Sequence, residues 1–222
     1  MTRRQSLPAM DAAMMPFGLS REDAQAPITT RRLYLRPPLY SDIPALSRVA
    51  NDPVIARFIT QIPYPYTPRD ARRFVASCEP DISPHLAAHF ILAMRANSRL
   101  IVGGAGFTWM AGGIPEIGYW IAAGYRRRSF ASEVTRGMLL RLFTESAAQR
   151  ARAWVLVGNE ASQRLLKRAG FRRIGFGMRH SRAQGRHVPA VLFGLTRADW
   201  ARRNGGARAT FLTASQTTDA DL

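Results

Sequence analysis

The sequence predicts an α/β (α+β) fold: one domain whose central, mixed, mostly antiparallel and twisted sheet has six to seven strands, with helices on both faces. Two observations carry this expectation. Residues 88–122 form three apolar runs broken by short turn signals, the pattern of a hairpin meander. Residues 153–195 then read as strand, capped helix, strand, strand, which adds a crossover to the meander. At 222 residues with 46% apolar content the chain suffices for one well-buried domain and is short for two.

Taken in order, residues 1–27 mix Pro, Met, Ala and charges without periodicity and are expected to be a flexible arm. Thr29–Arg36 alternates polar and apolar residues and reads as a first strand, stopped by Pro37-Pro38. Ser41-Asp42 caps a helix running to Ala50, with Leu46 and Val49 on its buried stripe. Asp52-Pro53 starts a short second helix carrying Val54, Ile55 and Phe58. After a rigid Pro/Tyr loop, Thr67-Pro68-Arg69-Asp70 opens a third helix, with Pro in the first turn and an acid at the third position.

Ala88–Arg95 and Leu100–Trp109 are two strands joined by a turn at residues 96–99. Gly103, Gly104 and Gly106 weaken the second and mark a bulge. Gly112-Gly113 turns the chain into the strand Ile114–Ala122. A helix from Ser129 to Ser146 repeats apolar residues at three and four: Val134, Met138, Leu139, Leu142. Ala153–Gly158 is a short buried strand, Asn159 caps a helix to Ala169, and Gly170 ends it. Phe171–Met178 and His187–Leu195 are the last strands, the ordered domain spans 28–203, and 204–222 is expected to be a flexible tail.

Several function classes recede. No apolar run approaches the roughly 20 residues that span a bilayer, and residues 1–19 lack a continuous apolar signal core, so a soluble cytoplasmic protein without membrane contact is expected. Cys78 is the only cysteine, and His85, His89, His180 and His187 build no ligand cluster, so neither a disulfide nor a metal site is expected. The net charge is +17, and residues 121–210 hold 19 Arg/Lys against 4 Asp/Glu. That half suits an anionic ligand, with nucleic acid or ribosome contact open. Yet Lys167 is the sole lysine among 32 cationic side chains, which equally fits an Arg-favouring composition.

Two segments carry chemistry. In Glu116–Glu133 a strand runs through a short basic loop straight into a helix. The first N–H groups of that helix lack internal partners and, with the macrodipole, form an anion site. Arg126, Arg127 and Arg128 stand at its entrance, where phosphates would meet amides and guanidiniums together. About thirty residues on, Asn159–Phe171 is a capped helix with Ser162 in its first turn.

These segments resemble the GCN5-related N-acetyltransferases (GNAT superfamily), in their RimJ/RimL-like branch. Glu116-Ile117-Gly118-Tyr119-Trp120-Ile121 followed by Tyr125–Ala131 looks like the acetyl-CoA-binding motif, with Arg126-Arg127-Arg128-Ser129-Phe130-Ala131 on the pattern Arg/Gln-x-x-Gly-x-Gly/Ala. Asn159, Ser162, Gly170 and Phe171 match the branch's Asn-x-x-Ser…Gly-Phe motif, and 30–37, 51–53 and 64–67 fit its opening strand and early helices. Ser129 replaces the motif glycine, and Arg127 stands where the family often has glycine. Glycine there eases close backbone approach and unusual dihedrals; Ser129 still offers its N–H and hydroxyl.

The resemblance implies an acetyl-CoA-dependent N-acetyltransferase in which the cofactor lies in a split between the 114–122 and 153–158 strands. Its pantetheine arm would pair with the backbone of Ile121, Ala122 and Ala123. Arg126–Ala131 would hold the pyrophosphate, and Asn159 would steady the arm. Glu116 would accept the amine's proton through water, and Ser162 would hydrogen-bond or protonate the departing sulfur, during direct attack by a neutral amine. The acceptor implied first is a protein N-terminus of the ribosomal-protein type. A small-molecule amine, or a non-catalytic acyl-CoA-binding or ribosome-associated role, stays open, as does monomer or homodimer.

Overall fold

The computed structural model describes residues 23, 25–79, 87–109 and 114–204. The expected N-terminal arm (but for its last residues), His85, the Gly112-Gly113 turn and the C-terminal tail beyond Asn204 lie outside the described residues.

Eight strands form one sheet: β1 (Ile28–Thr29), β2 (Leu33–Arg36), β3 (Ala87–Met94), β4 (Asn97–Trp109), β5 (Pro115–Ile121), β6 (Arg150–Leu156), β7 (Arg172–Ser181) and β8 (Arg186–Thr196). Their order is β1-β2-β3-β4-β5-β6-β8-β7, and every neighbour is antiparallel except β5 and β6. The expected count of six to seven is exceeded because the run Thr29–Arg36 folds back on itself. Thr30 N–H donates to Leu33 O at 2.9 Å, and Leu33 N–H donates back to Thr30 Oγ at 3.0 Å. This tight turn separates β1 from β2 and pairs Ile28 with Leu35.

The β3–β4 turn also falls earlier than expected, at Arg95-Ala96, with Asn97 already in the strand. The bulge is real and sits beside Gly103: Ala93 faces Ile101 while Leu92 faces Gly103, so Val102 is the extra residue.

The helices are α1 (Ile43–Ala50), α2 (Pro53–Phe58), α3 (Pro68–Ser77), α4 (Phe130–Glu145), α5 (Glu160–Ala169) and α6 (Arg197–Arg203). Capping chemistry sets the starts of α2 and α3, whereas Asp42, expected to cap α1, turns its carboxylate to the Arg36 guanidinium and Leu39 N–H and makes no side-chain cap. Asp52 accepts from the N–H of Val54 and Ile55, and Thr67 and Asp70 close a reciprocal capping box. Helices α4 and α5 cover one face of the sheet, where Val134, Met138, Leu139 and Leu142 are all at most 2% exposed against Phe90, Val102 and Phe193. Each such side chain contributes about 1.5–3 kcal/mol by leaving water. On the other face, Leu46 of α1 and Val75 of α3 pack with Ile91 and Ile101. Helices thus lie on both faces, as expected. Among the described residues no helix is long and apolar enough to cross a membrane.

Candidate active site

Strands β5 and β6 diverge in the middle of the sheet. They pair at a single position, Glu116 with Arg152, and the ladder stops there. The residues beyond, Ile117–Ile121 and Ala153–Leu156, border an open split. Ala122 N–H donates to Val102 O at 2.9 Å, so those two residues form a hydrogen-bonded pair. Alternation along the antiparallel ladder then makes Gly103/Ile121 and Ala105/Tyr119 non-bonded pairs. The peptide groups of Tyr119 and Ile121 therefore turn away from β4 and face the split.

The two sides of β5 are chemically different. Ile117, Tyr119 and Ile121 pack toward α4. There Tyr119 Oη and Ser162 Oγ, at the start of α5, lie 3.0 Å apart. Ser162 is held by its own N–H, which donates to Asn159 Oδ1 at 3.2 Å. Burial pushes the Tyr119 phenol above its ordinary pKa, against the hydrogen bond with Ser162, so it stays protonated at neutral pH.

On the opposite face stand Glu116, Gly118 and Trp120. Burial raises the Glu116 carboxyl above the usual value, opposed by Arg179 and Arg152, which both pair with it. A Cβ added at Gly118 would meet nothing within 4 Å, so open space lies above the strand between Glu116 and Trp120. Tyr119 and Trp120, consecutive along the strand, thus lie on opposite sides of it.

At the end of the split the chain passes through Ala123–Arg128 into α4. Arg127 and Ser129 both adopt left-handed backbone, each at φ 61°, at the two positions where glycine was to be expected. The backbone thus keeps a glycine-like path without glycine, at a cost of roughly 1–2 kcal/mol per residue. Arg32 on the neighbouring turn steadies this path. It donates to Arg128 O at 3.0 Å, stacks over the Phe130 ring at 4.3 Å and pairs with Glu133 Oε2 at 2.7 Å. Ser129 makes no side-chain cap, and the first turn of α4 leaves N–H groups pointing out beside the exposed Arg127, Arg128 and Ser129. Phe130 is buried and Ala131 half-buried, so these two offer backbone rather than side chain.

A family model of the acetyltransferase (GNAT) domain matches residues 32–172, which span the split, the basic loop and both of its helices. The chain belongs to the GNAT acetyltransferase family. It is an N-acetyltransferase, and acetyl-CoA is its acyl donor. A curated relative, the "uncharacterized N-acetyltransferase p20" of Bacillus licheniformis, is 25% identical over 174 residues, 78% of this chain and 97% of its own. Two solved structures share the fold. Mycobacterium smegmatis RimJ with CoA-disulfide has a TM-score of 0.67 at 19% identity, covering 82% of this chain and 96% of that one. RimL, a ribosomal L7/L12 α-N-protein acetyltransferase in complex with coenzyme A, has 0.64 at 17%, covering 77% and 97%.

The acetyltransferase has groups suited to such a donor: peptide groups along the split for an amide-bearing arm, and unmet helix N–H groups beside two exposed arginines for phosphates. Not every residue expected to line it is free to do so. Ala122 spends its N–H on Val102 and its C=O on Tyr125 N–H, and Ala123 O accepts from Arg126 N–H. Of the three, Ile121 turns its peptide toward the split, and Tyr119 joins it. Arg126 is turned inward, donating to Ile121 O at 3.1 Å and pairing with Asp52 at 2.5 Å. Arg127 and Arg128 keep their guanidiniums outside. Asn159 caps α5. Cys78 is no rival nucleophile, since burial pushes its thiol up to about 12.

Sequence reasoning missed Tyr119, Arg32, Arg152 and Arg179 as site residues. Arg32 left a trace in the opening-strand motif and Tyr119 in the Glu116–Ile121 motif, neither with a role attached. The strained loop gives a direct expectation. Ser129→Gly should raise stability to thermal unfolding by about 0.5–1 kcal/mol, because glycine removes the left-handed penalty while restoring some unfolded-state entropy. Unchanged or lower stability would mean that the Ser129 side chain holds the loop.

The Arg32–Glu133 tie gives another. Burial works to raise the Glu133 pKa, but hydrogen bonds from Thr30 Oγ, Arg32 N–H and its guanidinium prevail and lower it. Its stabilisation is therefore full above the ordinary carboxylate pKa and is lost as pH falls through the lowered folded value. Glu133→Gln should flatten the acid limb of stability against pH, measured by denaturant unfolding from pH 3 to 6.

Proposed function

We propose that this acetyltransferase acts on the α-amine of a protein N-terminus, with Glu116 and Ser162 on opposite sides of the split sharing the proton traffic. The single observation behind the mechanism is the divergence of β5 and β6 immediately beyond Glu116 and Arg152. It leaves an opening with a carboxylate on one face of β5 and a hydroxyl pair on the other.

In this reading the neutral amine attacks the thioester carbonyl, a C–N bond forms and the C–S bond breaks. Glu116 takes the amine's proton, through water where the gap requires it. Ser162 Oγ–H donates to the leaving sulfur while accepting from Tyr119 Oη–H, whose raised pKa keeps it a donor. Exposed Arg127 and Arg128 with the start of α4 offset the phosphate charge. The N-terminal acceptor is supported by the named activity of RimL and by the open space over Gly118, which a chain end could enter.

The test is acetylation of a set of peptides with free and blocked N-termini, read by mass spectrometry. Acetyl groups on the free α-amine, and none on the blocked peptides, are expected. Turnover of small amines alone would replace this acceptor by a small molecule.

A further inference from the structure

Glu116 is outnumbered. Its Oε1 lies 3.3 Å from Arg179 Nη2, and its Oε2 lies 3.7 Å from Arg152 Nε. The three side chains are only 17%, 30% and 23% exposed. Both contacts are longer than the 2.7–2.9 Å of a well-formed charge-assisted hydrogen bond. Glu116 Oε2 and Arg152 Nε are closed to solvent, and neither has a hydrogen-bond partner. One carboxylate thus faces two guanidiniums, leaving a positive charge and an unmet donor in a partly desolvated place. Such an imbalance is costly until an anion completes it.

The arrangement is held by the fold. Arg179 belongs to the edge strand β7, and its side chain crosses the face of β8 and β6 to reach β5. Its guanidinium lies over the Trp154 indole at 5.4 Å. Gly177 makes room, since a Cβ there would come within 3.0 Å of that ring. The β7–β8 hairpin is in turn anchored to the segment after α2, through Arg182 N–H to Thr60 O at 2.9 Å and its guanidinium to Gln61 O at 3.2 Å. The cluster adjoins the open face of Gly118. Arg179 lies in the β7–β8 hairpin, beyond the 32–172 stretch that the family model covers.

We propose that Arg152 and Arg179 bind a carboxylate of the acceptor, lying within a few bonds of the amine to be acetylated, so that acidic amines are the preferred substrates. For a protein acceptor this means Asp or Glu next to the N-terminal residue. The inference rests on the acetyl-transfer reading above and adds the charge of the acceptor. Guanidinium forks suit a carboxylate in two-point contact.

The experiment uses acceptors in matched sets: peptides differing only in Glu, Gln or Lys at the second position, and small amines as amino acid against amino acid amide. CoA release is followed at saturating acetyl-CoA. The acidic member is expected to exceed the neutral one in kcat/KM by about tenfold or more, mainly through KM, with Lys lowest. Arg179→Gln should shrink the acidic-to-neutral ratio to about threefold or less, and Arg179→Lys should restore part of it. Because the readout is a ratio within one variant, a general loss from a displaced Glu116 cancels. Equal use of neutral and acidic members, or a ratio that Arg179→Gln leaves unchanged, would overturn the inference. Preference intact on small amines with no peptide turned over would overturn the N-terminal acceptor alone. No turnover of any set, with acetyl-CoA bound, would overturn both.

Discussion

Glu116→Gln is expected to lower kcat/KM by about 10²–10³-fold, with the affinity for acetyl-CoA unchanged. The substitution keeps the side chain's shape and removes its capacity to hold a proton at the face of the split. The pH profile sharpens the expectation. Burial raises the Glu116 pKa despite Arg179 and Arg152, and the reaction needs the ionised form. The rate of the unaltered enzyme should therefore rise with pH through a value above the ordinary carboxylate range, and in Glu116→Gln that limb should vanish. If Glu116 served only as the counter-ion of its two arginines, stability would fall while turnover at saturation and the pH limb survived.

The second large effect is structural. Gly103→Ala should destabilise the fold by about 2–4 kcal/mol, lowering Tm by roughly 5–10 °C. A Cβ at Gly103 would lie 2.2 Å from the Trp120 carbonyl oxygen, and backbone cannot swing aside as a side chain can. The clash falls at the bulge beside Val102, where β4 supports the mouth of the split, so acetyl-CoA affinity should fall as well. Gly118→Ala is the internal control on the neighbouring strand. Its Cβ meets nothing within 4 Å, and the stability cost should be only a few tenths of a kcal/mol. Thermal unfolding of the two variants separates them, and equal Tm values would contradict the packing described.

How much of this was legible depended on whether the cause was local. The apolar stripe of α4, the Thr67–Asp70 box and the Asn159 and Gly170 ends of α5 are written in residues a few positions apart, and the structure places them as expected. The reversal at Thr30 was hidden because β1 and β2 continue one alternating pattern, and only the exchange of hydrogen bonds between Thr30 and Leu33 breaks it. The bulge near Gly103 was signalled by glycines, but its extra residue, Val102, is set by the register against β3.

The site divides in the same way. Glu116 and Ser162 stood out in recognisable segments. Tyr119 lay in the same segment as Glu116, but its role was hidden, since its tie to Ser162 spans 43 residues. Arg126 stood with two similar arginines, and only the position of Asp52 on another element draws it inward. Arg179 had no signal at all: that it reaches Glu116 across two intervening strands is a property of the assembled sheet. The departures at Arg127 and Ser129 were visible, but not that the chain would hold both in left-handed geometry with Arg32 behind them.

Acetyl-CoA is expected to occupy the split with its phosphates over the start of α4. Calorimetric titration with acetyl-CoA and with free CoA, of the unaltered protein and of an Arg127→Ala/Arg128→Ala variant, tests it most directly. The account predicts micromolar binding, weakened about tenfold or more in the variant. Absence of binding at millimolar acetyl-CoA, or equal affinity in both proteins, would contradict it.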